Sequence, residues 1–300
     1  MLNLLLVLTC CTFFFSALFT PTVFSLLCYI FPNFDYPFSR VFDRVAMIIL
    51  AIMVLMYHKD FKFAAFKGYV SFDNYFLKCF RFFFGIVLTF CSVCLAVLWA
   101  NSHEKIIMYS DFLTLKLALS MVGVFFVAIL ISVLEEGFFR VLLFDRLQKR
   151  FNVFYSAVIS SLIYGALHFI SPVKSFVYED FNLFAGFEYL YHVICRLFQP
   201  GLLAPYFGMV MIGLLLCYTM YKTKSFALCV GIHSGFVMGM KFIKQTAFVN
   251  PEISIPSGAG KQYFIVGQPE AWASFALIFI ILFLTFRSFK SFSRDERVKA

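Results

Sequence analysis

Long apolar runs, separated by short polar stretches, make up most of this chain. A helix that crosses a bilayer needs about 20 mostly apolar residues, and eight runs approach or exceed that length. The pattern therefore predicts an all-α polytopic membrane protein with about eight transmembrane helices. The predicted spans are residues 2–31, 43–57, 82–100, 117–149, 154–170, 201–221, 225–243 and 271–286.

The composition agrees with that class. Hydrophobic residues make up 62% of the chain and charged residues only 14%, whereas soluble globular domains have roughly 25% charged residues. The sequence has no internal repeat and no segment that resembles a linker. We therefore predict one integral membrane domain over residues 1–300. Its first apolar run is expected to be a retained membrane helix, because no basic residue precedes Arg40.

The positive residues indicate orientation in the membrane rather than a nucleic-acid surface. The net charge is +9, but Lys and Arg are dispersed among the loops, so no nucleic-acid partner is expected. They are most frequent after the second, fourth and sixth predicted spans and in the C-terminal tail RSFKSFSRDERVKA. Because positive residues favour the cytoplasmic side, both termini are predicted to be cytoplasmic.

Two carboxylates and a guanidinium interrupt the fourth run, in the stretch LEEGFFR at residues 134–140. Charged side chains at membrane depth are costly unless they are paired or hydrated. If the helix continues, Glu136 and Arg140 lie one turn apart on the same face and can form an ion pair. Glu135 is rotated by about 100° from Glu136 and points elsewhere. Alternatively, the three charges only end the helix at the cytoplasmic interface.

A polar stripe on the next predicted helix favours a buried site, because such stripes usually face the interior of a helical bundle. Its members recur every four residues and are Ser156, Ser160, Tyr164 and His168. Glu135 and His168 lie about equally far from the connector near Asn152. Two antiparallel neighbouring helices would therefore bring this Glu and this His to the same depth.

The seventh run contributes another buried histidine. His233 lies about ten residues beyond Lys222 and Lys224, and is therefore expected below the cytoplasmic surface. Small residues let neighbouring helices approach closely, and one face of this run has Gly231, Gly235 and Gly239. A packing role alone is the alternative for the glycines and for both histidines.

Residues 171–200 are too polar to span the membrane. Their later half predicts an amphipathic helix at the interface, either as a connector or as a cover for the entrance to the site. The apolar positions at helical spacing are Phe187, Leu190, Tyr191, Ile194 and Leu197.

The buried acidic and imidazole groups suit hydrolysis. A carboxylate beside an imidazole can deprotonate a water molecule, and a second imidazole can stabilise the oxyanion that forms on a peptide carbonyl. The sequence also resembles the CPBP family of intramembrane glutamic endopeptidases, also called the Abi or CAAX-protease family. The resemblance covers roughly residues 80–245. Its motifs are EExxxR at Glu135, Glu136 and Arg140, an aromatic residue four before His at Tyr164 and His168, and HxxxN at His233 and Val237.

The resemblance implies a CAAX-protease-like helical bundle and a metal-independent endopeptidase that needs no cofactor. Glu135 would be the general base on the attacking water, and His168 would help to orient and activate that water. His233 would belong to the oxyanion hole. The residues that order the site would be Glu136, Arg140 and Tyr164.

Val237 departs from the family pattern, because it stands where the family usually has Asn and cannot donate a hydrogen bond. Loss of one oxyanion donor typically costs about 100–1,000-fold in turnover. Three alternatives follow. Tyr164, Ser234 or a backbone amide supplies the missing donor, or the enzyme is slow, or the protein is a non-catalytic scaffold or immunity protein with the same fold.

Rival chemistries have weaker support. The motifs HExxH, GxSG and GxGD of other intramembrane proteases are absent from the sequence. A zinc site formed by one Glu and two His side chains and a proton-coupled transporter that uses a buried Glu–His pair stay open as alternatives.

The expected partners are the lipid bilayer and a membrane-associated peptide or protein substrate. The expected location is a bacterial inner membrane.

Overall fold

The computed structural model describes residues 2–56, 75–109, 114–169, 176–250, 252–253 and 265–298. Within these ranges the chain is mostly helical, with one short two-stranded sheet. The helices are α1 (Leu2–Ile30), α2 (Phe38–Met56), α3 (Tyr75–Ser102), α4 (Leu115–Leu147), α5 (Val153–Phe169), α6 (Ala185–Leu197), α7 (Leu203–Thr223), α8 (Phe226–Thr246) and α9 (Pro269–Val298). The strands are β1 (Ile106–Met108) and β2 (Ala247–Val249), and a 3₁₀ turn (Pro200–Leu202) precedes α7.

The protein is an all-α polytopic membrane protein, as the apolar pattern predicts. Among the described residues, six helices are long and apolar enough to cross a membrane, namely α1, α3, α4, α7, α8 and α9. Helix α5 is apolar but has only 17 residues. The predicted count of eight transmembrane helices stays a prediction.

The chain divides into two compact units, and the prediction of one membrane domain over residues 1–300 stays a prediction. The first unit consists of residues 1–63 and 166–199. Its core is mainly aromatic and is formed by Ala17, Phe38, Phe42, Tyr189 and Val193. Helix α6 confirms the predicted helix in the later half of 171–200, and its predicted position at the membrane interface stays a prediction. Ala185, Tyr189 and Val193 are buried, whereas Tyr191 and Ile194 are exposed.

The second unit consists of residues 64–165 and 200–300. At its centre α3 packs along the glycine face of α8, as the small-residue spacing predicts. A Cβ atom at Gly231 would overlap the carbonyl oxygen of Phe82, and one at Gly239 would lie 2.7 Å from a methyl carbon of Val93. The Thr89 hydroxyl also lies 3.0 Å from the carbonyl oxygen of Ile232. The backbone of α8 is therefore held directly against α3.

The two ends of α8 are fixed by short connections. At its start, Lys224 adopts a left-handed conformation (φ 50°) that ends α7, and the Ser225 hydroxyl accepts a hydrogen bond from the Leu228 amide. At its end, β2 pairs antiparallel with β1, with Ile107 opposite Phe248. Because β1 follows α3, the strand pair ties the ends of α3 and α8 together.

Candidate active site

Helix α4 continues through the charged stretch and does not end there. It runs to Leu147, and residues Gly137–Phe144 form a π-helical segment that begins directly after Glu135 and Glu136. A π-helix is rare and is frequently found at functional sites. The alternative in which these charges simply end the helix is therefore wrong.

Glu136 and Arg140 form the buried ion pair that their spacing predicts. Arg140 Nε lies 3.1 Å from Glu136 Oε2, and both side chains are 0% exposed. A buried pair of this kind loses much of its stability when one partner is removed, because the remaining charge is then uncompensated. This pair fixes the orientation of Glu136 within the bundle.

The imidazole of His233 faces both carboxylates, with one ring nitrogen toward each. Its Nδ1 lies 2.8 Å from Glu136 Oε1, and its Nε2 lies 3.7 Å from Glu135 Oε2. An ionised carboxylate can only accept, so His233 Nδ1 donates to Glu136. The second distance exceeds a direct hydrogen bond and is in the range where a bridging water should be considered. His233 lies seven residues into α8, which places the imidazole about 10 Å from the start of that helix.

The two glutamates differ in their exposure. The Glu136 side chain is 0% exposed, whereas that of Glu135 is 29% exposed. Glu136 is bound between a guanidinium and an imidazole, whereas the Glu135 side chain is partly exposed although its Oε2, the oxygen nearest His233 Nε2, is buried. The roles of general base and ordering residue that the sequence suggests for Glu135 and Glu136 stay predictions.

Tyr164 packs against the charged groups from α5. The Arg140 guanidinium carbon lies 5.2 Å from the centroid of the Tyr164 ring, a distance at which the ring attracts a cation. The same ring meets the His233 ring edge-on at 6.1 Å and the Phe139 ring at 5.0 Å. Tyr164 is 1% exposed and packs against both Arg140 and His233.

The first two residues of the polar stripe on α5, Ser156 and Ser160, are fully buried. The Ser160 hydroxyl lies 3.4 Å from the carbonyl oxygen of Phe139 in the π-helical segment. His168 lies one turn beyond Tyr164 on α5, is partly buried and belongs to the first unit. Its predicted pairing with Glu135 stays a prediction.

Val237 lies one turn after His233 and lines a groove of about 480 Å³ between α4 and α8. Val124 and Val127 of α4 form the apolar wall of the groove, and Lys241 and Lys244 line it on α8. The position that usually provides an amide donor therefore presents an apolar side chain to this groove.

The two glutamate carboxylates and the His233 imidazole suit proton transfer. Within the described part of the chain, no group of three or more His, Cys, Asp and Glu side chains is arranged to hold a metal ion. The structure brings together Glu135, Glu136, Arg140, Tyr164 and His233, all in the second unit. The Glu136–His233 contact is the feature that sequence reasoning missed, and only the shared burial of the two residues pointed to it.

A family model matches residues 117–238, and its description is "Type II CAAX prenyl endopeptidase Rce1-like". The matched range contains all three motifs, from Glu135 to Val237. No curated protein and no solved structure matches the chain.

Proposed function

We propose that this chain, whose residues 117–238 match the CAAX prenyl endopeptidase family model, is a metal-independent endopeptidase with a Glu/His mechanism. At family level it is a CAAX-type intramembrane protease. Its proposed substrate is a membrane-associated protein or peptide precursor. The observation that best supports the mechanism is the position of His233, 2.8 Å from one glutamate and 3.7 Å from the other.

In this mechanism Glu135 is the general base. It is the more exposed of the two carboxylates and takes a proton from the water that attacks the peptide carbonyl. His168, on the helix that also bears Tyr164, is proposed to orient and activate that water. The carboxylic acid of Glu135 then gives the proton that it took from the water to the leaving amine, so that Glu135 is again a carboxylate.

His233 is proposed to stabilise the oxyanion through Nε2. Nδ1 already donates to Glu136, so an N–H at Nε2 requires the doubly protonated ring, with Glu136 as its counter-ion. The charge on this ring then faces the position where negative charge develops. Glu136, Arg140 and Tyr164 order the ring and do not exchange protons with the substrate.

The first experiment measures cleavage by purified protein. A library of membrane peptides, including prenylated CAAX peptides, is incubated with wild type, E135Q and E188Q, with and without a chelator. We expect wild-type cleavage to resist the chelator and E135Q to lose about 100- to 10,000-fold in rate. The E188Q control changes an exposed glutamate of α6 and should cleave like wild type.

Three results would contradict the proposal. Full cleavage by E135Q would exclude Glu135 as the base. Inhibition of wild type by the chelator, reversed by zinc, would favour the metal alternative. Inactivity of folded wild type across the whole library, together with proton uptake by vesicles that contain it, would favour a proton-coupled transporter.

A non-catalytic scaffold or immunity protein is the second candidate function, and the apolar Val237 beside His233 is the observation that favours it. Such a protein would be inactive in both the cleavage and the proton-uptake assays. Its V237N variant would stay inactive as well, whereas a slow protease should gain activity.

We also propose a bacterial inner-membrane location with both termini cytoplasmic. The support is the concentration of Lys and Arg in alternate loops and in the tail. Reporter fusions at each terminus test it. Activity of a periplasm-dependent reporter, such as alkaline phosphatase, at either end would contradict it.

A further inference from the structure

A second cavity, of about 780 Å³, lies in the second unit where the start of α3, the end of α7, the start of α8 and the later part of α9 meet. This volume is within the range of roughly 300–1,000 Å³ that is typical of ligand sites. Its wall includes five aromatic and two cationic side chains. Those used below are Phe80, Phe84, Tyr218, Phe283, Arg81 and Lys222.

Among the described side chains of the lining helices, the charge around this cavity is positive. Helices α3, α7 and α8 contain no Asp or Glu at all. The one acidic residue in Pro269–Phe286 of α9 is Glu270, at its beginning, where it pairs with Lys105 at 2.7 Å. Two further cations lie at this end of the unit. They are Lys78, in the first turn of α3, and Lys224, which follows α7.

Two of the cationic groups lie near the exposed Tyr221 ring at the end of α7. Lys222 and Lys224 are exposed, and their Nζ atoms lie 5.6 and 5.2 Å from the centroid of the Tyr221 ring. Helix α7 ends at Thr223, so these lysines lie where the apolar span gives way to the interface. The site therefore combines an apolar chain-binding wall with an anion-binding rim at interfacial depth.

We propose that this cavity binds an anionic phospholipid, with the phosphate between Arg81 and Lys222 and an acyl chain along the aromatic wall. An arginine fork suits phosphate oxygens, and the Phe80, Phe84 and Phe283 rings suit a hydrocarbon chain. A phosphatidylcholine head would bring its own cation close to Lys222, so the cavity discriminates against zwitterionic lipid. This inference does not rest on the proposed protease function.

The experiment uses the full chain, delipidated in detergent, and native mass spectrometry. Phosphatidylglycerol and phosphatidylcholine with identical acyl chains are added in equal amounts, and the ratio of the two bound lipids is measured. Wild type should prefer phosphatidylglycerol, and R81Q/K222Q should lose that preference by about tenfold or more, because each interfacial cation contributes to anionic-lipid binding. R81K/K222R keeps both charges and should keep most of the preference.

The matched control is K241Q/K244Q, which removes two exposed lysines from the other end of α8. It should keep the wild-type lipid ratio. Thermal unfolding of each variant in detergent checks that it is folded. R81K/K222R serves as the folded comparison if R81Q/K222Q is unstable.

Other outcomes would overturn the proposal. An equal loss of preference in K241Q/K244Q would show diffuse attraction by net charge rather than a site. Displacement of the lipid by glycerol phosphate alone would show an ion site with no role for the aromatic wall. Displacement by a farnesylated peptide at equal concentration would assign the cavity to a lipid-modified peptide instead, and no preference in wild type would exclude the site.

Discussion

Helices α4 and α8 both bear residues of the candidate site, but they are held in opposite ways. In its most apolar window, 61% of α8 is buried within the protein, against 11% of α4. Helix α8 has α3 packed on its glycine face, whereas much of α4 presents Leu119, Phe126, Leu130 and Leu134 outward. The imidazole of His233 therefore lies on a rigid support, and the carboxylates lie on a helix that mostly faces hydrocarbon.

This difference in burial raises the question of which part of α4 is held within the protein. Up to Glu136, α4 buries only Ala128, Ser132 and Glu136, whereas six of the eight residues in the π-helical segment that follows are buried. The wider turn of a π-helix changes which side chains face inward. The ion pair and the π-helical segment thus fix α4 at the depth of the site, while the rest of the helix is free to face lipid.

The largest expected effect comes from breaking this anchor. Arg140→Met leaves the buried Glu136 carboxylate without its guanidinium, and we expect a loss of about 3–5 kcal/mol in the free energy of unfolding. The double variant E136Q/R140M removes both charges and should be clearly more stable than R140M. Steric trapping in bicelles measures both. Equal loss in the single and double variants would mean that packing of Arg140, rather than its charge, anchors α4.

The next largest effect is expected on turnover, from a substitution on α8. Val237→Asn places an amide donor one turn after His233, beside the groove between α4 and α8. If one oxyanion donor is missing in the natural protein, turnover should rise by about 10- to 100-fold, somewhat less than the usual cost of losing such a donor. Val237→Leu, which adds volume without a donor, is the control. An equal rise in V237L would attribute the gain to the shape of the groove.

Much of the fold could be predicted from the apolar pattern. The runs at 82–100 and 225–243 correspond to α3 and α8, although α3 extends beyond both predicted ends and α8 beyond its C-terminal end. Apolarity marks the part of a helix in hydrocarbon, and helices continue into the interface until a cap such as Ser225 or a short strand ends them. The strands β1 and β2 have three residues each, too few for an alternating pattern to be visible.

The sequence predicts a side-chain pairing within one helix more readily than a pairing between two helices. The spacing of Glu136 and Arg140 predicts their ion pair because both lie on one helix. Depth along two helices suggested Glu135 and His168 as neighbours, but depth does not give rotation about the helix axis. The contact of His233 with Glu136 depends on that rotation, which the spacing of residues within each helix does not specify.

A smaller effect compares glycines on the two helices. Gly231→Ala on α8 would force its Cβ against the Phe82 carbonyl oxygen, and overpacking of this kind costs about 1–3 kcal/mol. Gly123→Ala on α4 meets nothing within 4 Å and should leave stability unchanged or slightly raised, since Ala favours helix. Thermal unfolding in the same detergent compares them. Similar losses in both variants would show that α4 is as tightly packed as α8.

The smallest effect is expected on the outer face of α4. Leu130 is 61% exposed, and lipid tails are as apolar as a leucine side chain, so Leu130→Ala should change the free energy of unfolding by less than about 0.5 kcal/mol. Val141→Ala, at a buried position of the same helix, is the comparison and should lose more. Steric trapping in bicelles again gives both values. If Leu130→Ala lost as much as Val141→Ala, the outer face of α4 would be packed against protein, such as a second copy of the chain. The glutamates would then be held from both sides, and α4 and α8 would be equally rigid supports for the site.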